Sequence, residues 1–257
     1  MRRFVSILLA SLLAPSVFAS QVADIEIFDR TSGETLPVHS HRGRLYVAGE
    51  PRHQYEIRIH NRSGRRLLAV TSVDGVNVIT GETASEQQSG YVLDAYGSTR
   101  IEGWRKSLDD VATFYFTHLG DSYAARTGRP ADVGVIGVAL FEEKRYCCAR
   151  DQYDKAEESL AAPDRSPSAA SAGARERQRS DAEARRAEPK LGTGHGHRED
   201  SSARYVDFER AASTPNETLV IYYDSRRNLV AQGVLPKQPR SYAYGPKPFP
   251  NGFVPDP

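Results

Sequence analysis

Four histidines stand in two His-x-His pairs, His39 with His41 and His195 with His197. In an extended chain residues i and i+2 point the same way, so each pair offers two imidazoles to one side. Neutral imidazole suits zinc, copper or nickel. A zinc or copper site built on His195 and His197, with His39 and His41 as further ligands, is one expectation, and ordinary loop histidines are the other. A closed structural zinc site needs four ligands, and the chain has no Cys-x-x-Cys or His-Glu-x-x-His. The initiator is the one Met, which excludes a Met-rich Cu(I) site. No other cofactor is expected.

The second group of interest is Gly103-Trp104-Arg105-Lys106-Ser107, followed by Asp121-Ser122-Tyr123-Ala124-Ala125-Arg126-Thr127-Gly128. It holds the single Trp and several basic residues. Trp and Arg concentrate binding energy at interfaces and stack on rings. Trp104, Arg105, Tyr123 and Arg126 are therefore the candidate binding residues, and the competing reading makes Trp104 a core or edge anchor.

Other groupings carry less. Leu191-Gly192-Thr193-Gly194-His195-Gly196-His197 allows close backbone approach. It lacks the Gly-Lys-Ser/Thr of a phosphate loop and the strand-loop-helix setting of a dinucleotide fingerprint, so nucleotide binding is rejected. Asp121, Ser122 and His118 are a chance grouping without a Gly-x-Ser-x-Gly elbow. Glu142 and Glu143 are adjacent and face opposite ways on a strand. Asp74-Gly75 reads as a tight hairpin turn. Cys147 and Cys148 are neighbours, which cannot staple distant parts of a fold, and they read as surface thiols at a domain edge.

The stretches Ser72 to Val78, Gly103 to Lys106, Ser122 to Gly128 and Gly192 to Gly196 resemble those of a group of exported proteobacterial proteins of unknown function. The resemblance covers most of the mature chain and implies an envelope location. It transfers no functional residues.

Composition sets the wider frame. The 257 residues hold 34 basic and 33 acidic side chains, a net charge of +1, without the positive excess of a nucleic-acid binder. Hydrophobic content is 39%, low enough that part of the chain must lie outside a core. Residues 1–19 have the basic, apolar and small-residue parts of a secretory signal peptide, with cleavage after Ala19. No Cys stands at the cleavage site for lipid attachment, and no later apolar run reaches membrane-spanning length. The expected location is periplasmic first and extracellular second.

The elements that must position these residues are short strands. Period-two alternation marks Ala23 to Phe28 and Tyr55 to His60, with further strands at Arg44 to Ala48, Leu67 to Val73, Val76 to Thr80, Gly90 to Leu93, Ser98 to Glu102, Val111 to Thr117 and Val133 to Phe141. Ala124 to Thr127 makes one helical turn. From 150 to 190 the chain is Ala, Arg, Glu and Ser with almost no large apolar residues, which predicts a disordered insert. After the 191–197 segment, read as a loop, Tyr205 to Arg210 alternates. Leu219 to Tyr223 and Asn228 to Val234 then flank a four-residue hairpin loop at 224–227.

The fold expected is mainly β: an antiparallel β-sandwich or open barrel with a long disordered polar insert before a C-terminal hairpin. The boundaries are 1–19 signal peptide, 20–149 β-sandwich, 150–190 insert, 191–235 Gly-His loop and completing strands, and 236–257 a Pro/Tyr-rich tail. The functional expectation is a non-enzymatic exported sandwich that binds an envelope protein or glycan. A periplasmic metal-binding protein or metalloenzyme is the alternative.

Overall fold

The computed structural model describes residues 22–145 and 189–237. The expected signal peptide, the Cys147-Cys148 pair, the insert up to residue 188 and the tail beyond Lys237 lie outside the described residues.

The strands before the insert are β1 (Ala23–Asp29), β2 (Glu34–Thr35), β3 (His39–His41), β4 (Arg44–Gly49), β5 (Gln54–Asn61), β6 (Leu67–Val73), β7 (Val76–Asn77), β8 (Tyr91–Leu93), β9 (Ser98–Ile101), β10 (Gly103–Arg105) and β11 (Asp110–His118). A short helix α1 (Tyr123–Arg126) separates β11 from β12 (Val135–Glu142). Beyond residue 188 come β13 (Leu191–Asp200), β14 (Glu217–Ser225) and helix α2 (Arg226–Ala231).

These strands form two sheets. The first runs β10-β11-β5-β1-β2, with β13 also on β11 and β9 also on β5. The second runs β3-β4-β14-β12-β6-β7, with β8 also on β6. The fold is thus mainly β, two open sheets in a sandwich-like arrangement, as the short alternating strands predict. The chain beyond residue 188 gives one strand to each sheet.

The core lies between the sheets. Ile27, Tyr55, Ile57, Phe114 and Phe116 come from the first, and Val47, Val73, Ile136, Leu140 and Tyr223 from the second. Tyr55 stacks on Phe116 at 4.3 Å, and Phe116 meets Tyr223 across the layer at 5.4 Å. Each such side chain contributes about 1.5–3 kcal/mol by burial. A smaller cluster of Leu68, Val70, Ala139 and Phe141 lies apart from it, with Phe208 packed against it.

Asp74 and Gly75 form the expected turn, with φ of 53° and 70°, and join β6 to β7. Val76 to Thr80 was expected as one strand, yet β7 stops at Asn77. The Asn77 side-chain oxygen accepts the N–H groups of Ile79 and Thr80, which turns the chain away from the ladder.

Three expectations after residue 188 are corrected. The 191–197 segment is no loop: it is most of β13, paired antiparallel with β11. Asn228 to Val234 is no second hairpin strand. Ser225 caps α2 by accepting the Asn228 N–H, Leu229 is buried, and Gly233 at φ 76° ends the helix. Tyr205 to Arg210 makes a single bridge, Arg210 with Glu143, instead of a strand. Among the described residues no helix is long and apolar enough to cross a membrane.

Candidate functional site

β10, β11, β13 and α1 bring three rings together at the rim of the first sheet. Trp104 on β10 lies opposite Ala112, and His195 on β13 lies opposite Phe114. Ser122 caps α1 by accepting the Ala125 N–H and places Tyr123 over both. Trp104 and Tyr123 are 4.8 Å apart, Tyr123 and His195 5.4 Å, and Trp104 and His195 6.2 Å with nearly parallel planes. Trp104 is 3% exposed, with its other face edge-on to Phe114. Its indole N–H has no partner among the described residues. Tyr123 and His195 are half-buried and reach solvent.

Two exposed cations flank this trio, Lys106 after β10 and Arg126 at the end of α1. Neither makes an ion pair among the described residues. Burial, and then the charge of Lys106, holds the His195 imidazole below its usual 6.5, with Arg126 adding to the effect. His195 is therefore a neutral ring near pH 7. A surface of two half-exposed rings between two unneutralised cations can stack on a planar or sugar face and hold an anionic group.

Of the four candidate binding residues, Tyr123 and Arg126 face this rim and Trp104 backs it from inside. Arg105 does not belong to it. Its guanidinium donates to the Tyr91 hydroxyl at 3.0 and 3.2 Å and to the Ser201 carbonyl, so it fastens β10 to neighbouring chain.

The His-x-His pairs are not brought together. The β11–β13 register pairs Phe114 with His195 and Ala112 with Arg198, leaving Thr113 opposite both Gly196 and His197. This bulge gives the two histidines different surroundings. His197 meets Gln54 and Thr113 at 3.5 Å and Glu199 at 3.8 Å, whereas His195 joins the aromatic trio. Glu199 itself accepts from the two terminal guanidinium nitrogens of Arg30, which lowers its pKa. His39 and His41 stand on β3 in the other sheet. Among the described residues no three of His, Cys, Asp and Glu converge as a metal cage would require.

The three glycines of β13 do serve close approach, toward the protein's own side chains. A Cβ at Gly194 would lie 2.1 Å from Tyr115 Cζ, and one at Gly196 2.2 Å from Thr113 Oγ1. Gly192 is similarly closed by Ser122 and Val133 at 2.6 Å. This is why the segment forms a strand despite its composition.

Two buried carboxylates fix β13 from the second sheet. Asp74 Oδ2 accepts the Thr193 N–H at 2.8 Å, and Asp224 Oδ1 accepts the Leu191 N–H at 3.1 Å. Asp74 Oδ1 also accepts the Gly134 N–H at 2.8 Å and the Tyr223 hydroxyl at 2.5 Å. Thr193 Oγ1 links the Tyr223 and Tyr55 hydroxyls at 2.7 and 2.6 Å. Burial pushes Asp74 above the usual carboxylate value of 3.8 and both tyrosines well above 10.0. These groups are sealed in the core and tie the sheets together. The turn explains the position of Asp74, but its side chain does more than turn the chain, which the hairpin motif alone did not reveal.

Ser122 is no nucleophile here. It is fully buried, and its hydroxyl donates to the Leu119 carbonyl at 2.7 Å while capping α1. No protein-family model, curated protein or solved structure matches the chain.

Proposed function

We infer that the chain is a non-enzymatic exported module, periplasmic by its N-terminal signal, that binds an envelope protein or glycan through the Tyr123–His195 rim. One observation carries the reading: two half-exposed rings, braced from behind by buried Trp104, stand between the unpaired cations Lys106 and Arg126. Rigid aromatic groups lose little entropy on binding, and unpaired cations supply orientation. The strongest buried polar networks are spent on holding the sheets together, which argues for recognition over catalysis.

The test has two arms. Fractionation of cells expressing the full chain should place it outside the cytoplasm, with residues 1–19 removed. A pull-down with residues 20–257 should then recover an envelope component that a Lys106→Gln, Arg126→Gln variant with Tyr123→Ser fails to recover. Retention in the cytoplasm, or equal recovery by the folded variant, overturns the reading.

A further inference from the structure

The described arginines divide by what their guanidinium groups meet. Arg30 holds Glu199, Arg58 holds Glu56, Arg66 holds Glu143 and Arg198 holds Asp110. Arg105, Arg129 and Arg210 donate to backbone carbonyls. Arg42 and Arg44, like Arg52, Arg100, Arg126, Arg204 and Arg226, make no hydrogen bond or ion pair through their side chains among the described residues, but these two stand together beside one cleft. Both are exposed and stand where β3 turns into β4, at the edge of the second sheet.

The turn itself is unusual. Arg42 and Gly43 have φ of 49° and 75°, the values of a tight two-residue hairpin. Asn, Asp or Gly ordinarily fills the first of these positions, because a larger side chain in the left-handed region is sterically penalised.

Beside the turn lies a half-open surface cleft of about 490 Å³. Its lining is His41, Arg42, Arg44, Tyr46, Gln232 and Val234, with no carboxylate among them. Tyr46 and Tyr222 are register partners on β4 and β14, their rings 5.6 Å apart. The Arg44 guanidinium lies 5.2 Å from the Tyr222 ring centroid. That contact steadies the side chain and leaves its donors unused. Arg226 adds a further positive charge, felt at His39 as a depression of its pKa second only to burial.

Two guanidinium forks without internal partners match the oxygens of a phosphate or carboxylate. A half-exposed tyrosine ring beside them offers an apolar face. We propose that this cleft binds an anionic sugar, its ring against Tyr46 and its phosphate or carboxylate on Arg42 and Arg44. The site lies on the other sheet from the Tyr123–His195 rim and stands independently of it.

Calorimetric titration of residues 20–257 tests the assignment, with glucose 6-phosphate, glucuronate, inorganic phosphate and neutral glucose as probes. An Arg42→Asn, Arg44→Gln variant removes both charges while giving the turn a residue it accepts, so the fold is spared. Either charged sugar should bind saturably, and the double variant should weaken it by roughly tenfold or more, as loss of charge-assisted hydrogen bonds requires. Tyr46→Ala should weaken the charged sugar relative to inorganic phosphate. Tyr205→Ser, at an exposed position outside both the cleft lining and the rim, should leave this binding unchanged. No saturation by either charged sugar at about 10 mM overturns the proposal. So does undiminished binding by the arginine variant, or inorganic phosphate binding as tightly as the sugars.

Discussion

Replacing Asp74 by Ala should be among the most damaging single changes in the described chain. Asp74 is fully buried, and its carboxylate is the acceptor for the Gly134 N–H, the Thr193 N–H and the Tyr223 hydroxyl. Each buried donor left without a partner costs about 1–3 kcal/mol. Three would cost as much as about 9 kcal/mol if nothing moved. The two tyrosine hydroxyls can still satisfy each other through Thr193 Oγ1, which limits the loss. Removal of the buried carboxylate also relieves its own desolvation. The net expectation is about 3–5 kcal/mol, including about 1 kcal/mol for a β-carbon without a side-chain hydrogen bond at φ 53°.

Asp74→Asn keeps the shape and tolerates the turn, but turns one acceptor into a donor facing a backbone N–H. It should cost about 1–3 kcal/mol. Urea unfolding followed by Trp104 fluorescence measures both. Because the folded pKa of Asp74 is raised above 3.8, its protonation contributes stability that is full below pH 3.8 and is lost as pH rises through the folded value. The Asp74→Asn variant lacks that contribution, so the stability gap should be widest at low pH and narrow as pH rises. A change below about 1 kcal/mol for Asp74→Ala at pH 7 would refute the role given to this carboxylate.

Other expectations follow from single contacts. Gly194→Ala places a methyl group 2.1 Å from Tyr115 Cζ and should destabilise by about 1–3 kcal/mol, with part recovered in a Gly194→Ala, Tyr115→Ala double variant measured by urea unfolding. Ser225→Ala removes the α2 cap and should cost about 0.5–2 kcal/mol, read as a lower Tm. His195 has a folded pKa below 6.5, so its contribution is present above pH 6.5 and is lost as pH falls through the folded value. His195→Gln should therefore flatten the acid side of the stability profile in that window, and an unchanged slope would contradict the burial of the ring. For metal, the bulge separating His195 from His197 predicts that the effects of His195→Ala and His197→Ala on Zn²⁺ affinity simply add in the double variant, whereas two ligands of one ion would lose less together than the sum of the single losses.

Much of the β framework was legible, from period-two alternation at Ala23 to Phe28 and Tyr55 to His60 and from apolar, β-branched runs between turn residues elsewhere. Ala23 to Phe28, Tyr55 to His60, Leu67 to Val73 and Val111 to Thr117 all lie inside observed strands. The errors have separate local causes. Gly192, Gly194 and Gly196 look like a loop because glycine is poor in strands, yet each makes room for a side chain from elsewhere. Asn228 to Val234 has apolar residues that fit either period, and the Ser225 cap with Gly233 after it was the sequence signal for a helix. Spacing along a strand suggested that His195 and His197 act together. A bulge, set by pairing with β11, undoes that inference and hands His195 to Trp104 and Tyr123. The Arg42-Gly43 turn escaped notice because arginine is not a residue that such turns favour.

The rim reading is tested most directly by photo-crosslinking in cells expressing the full chain. A photoreactive amino acid replaces the exposed Arg126 in one experiment and the 89%-exposed Tyr205 in a control. The expected result is a discrete adduct from position 126, absent from position 205 and reduced when Lys106→Gln is added. No adduct at 126, or the same adducts from both positions, would contradict a binding role for the Tyr123–His195 rim.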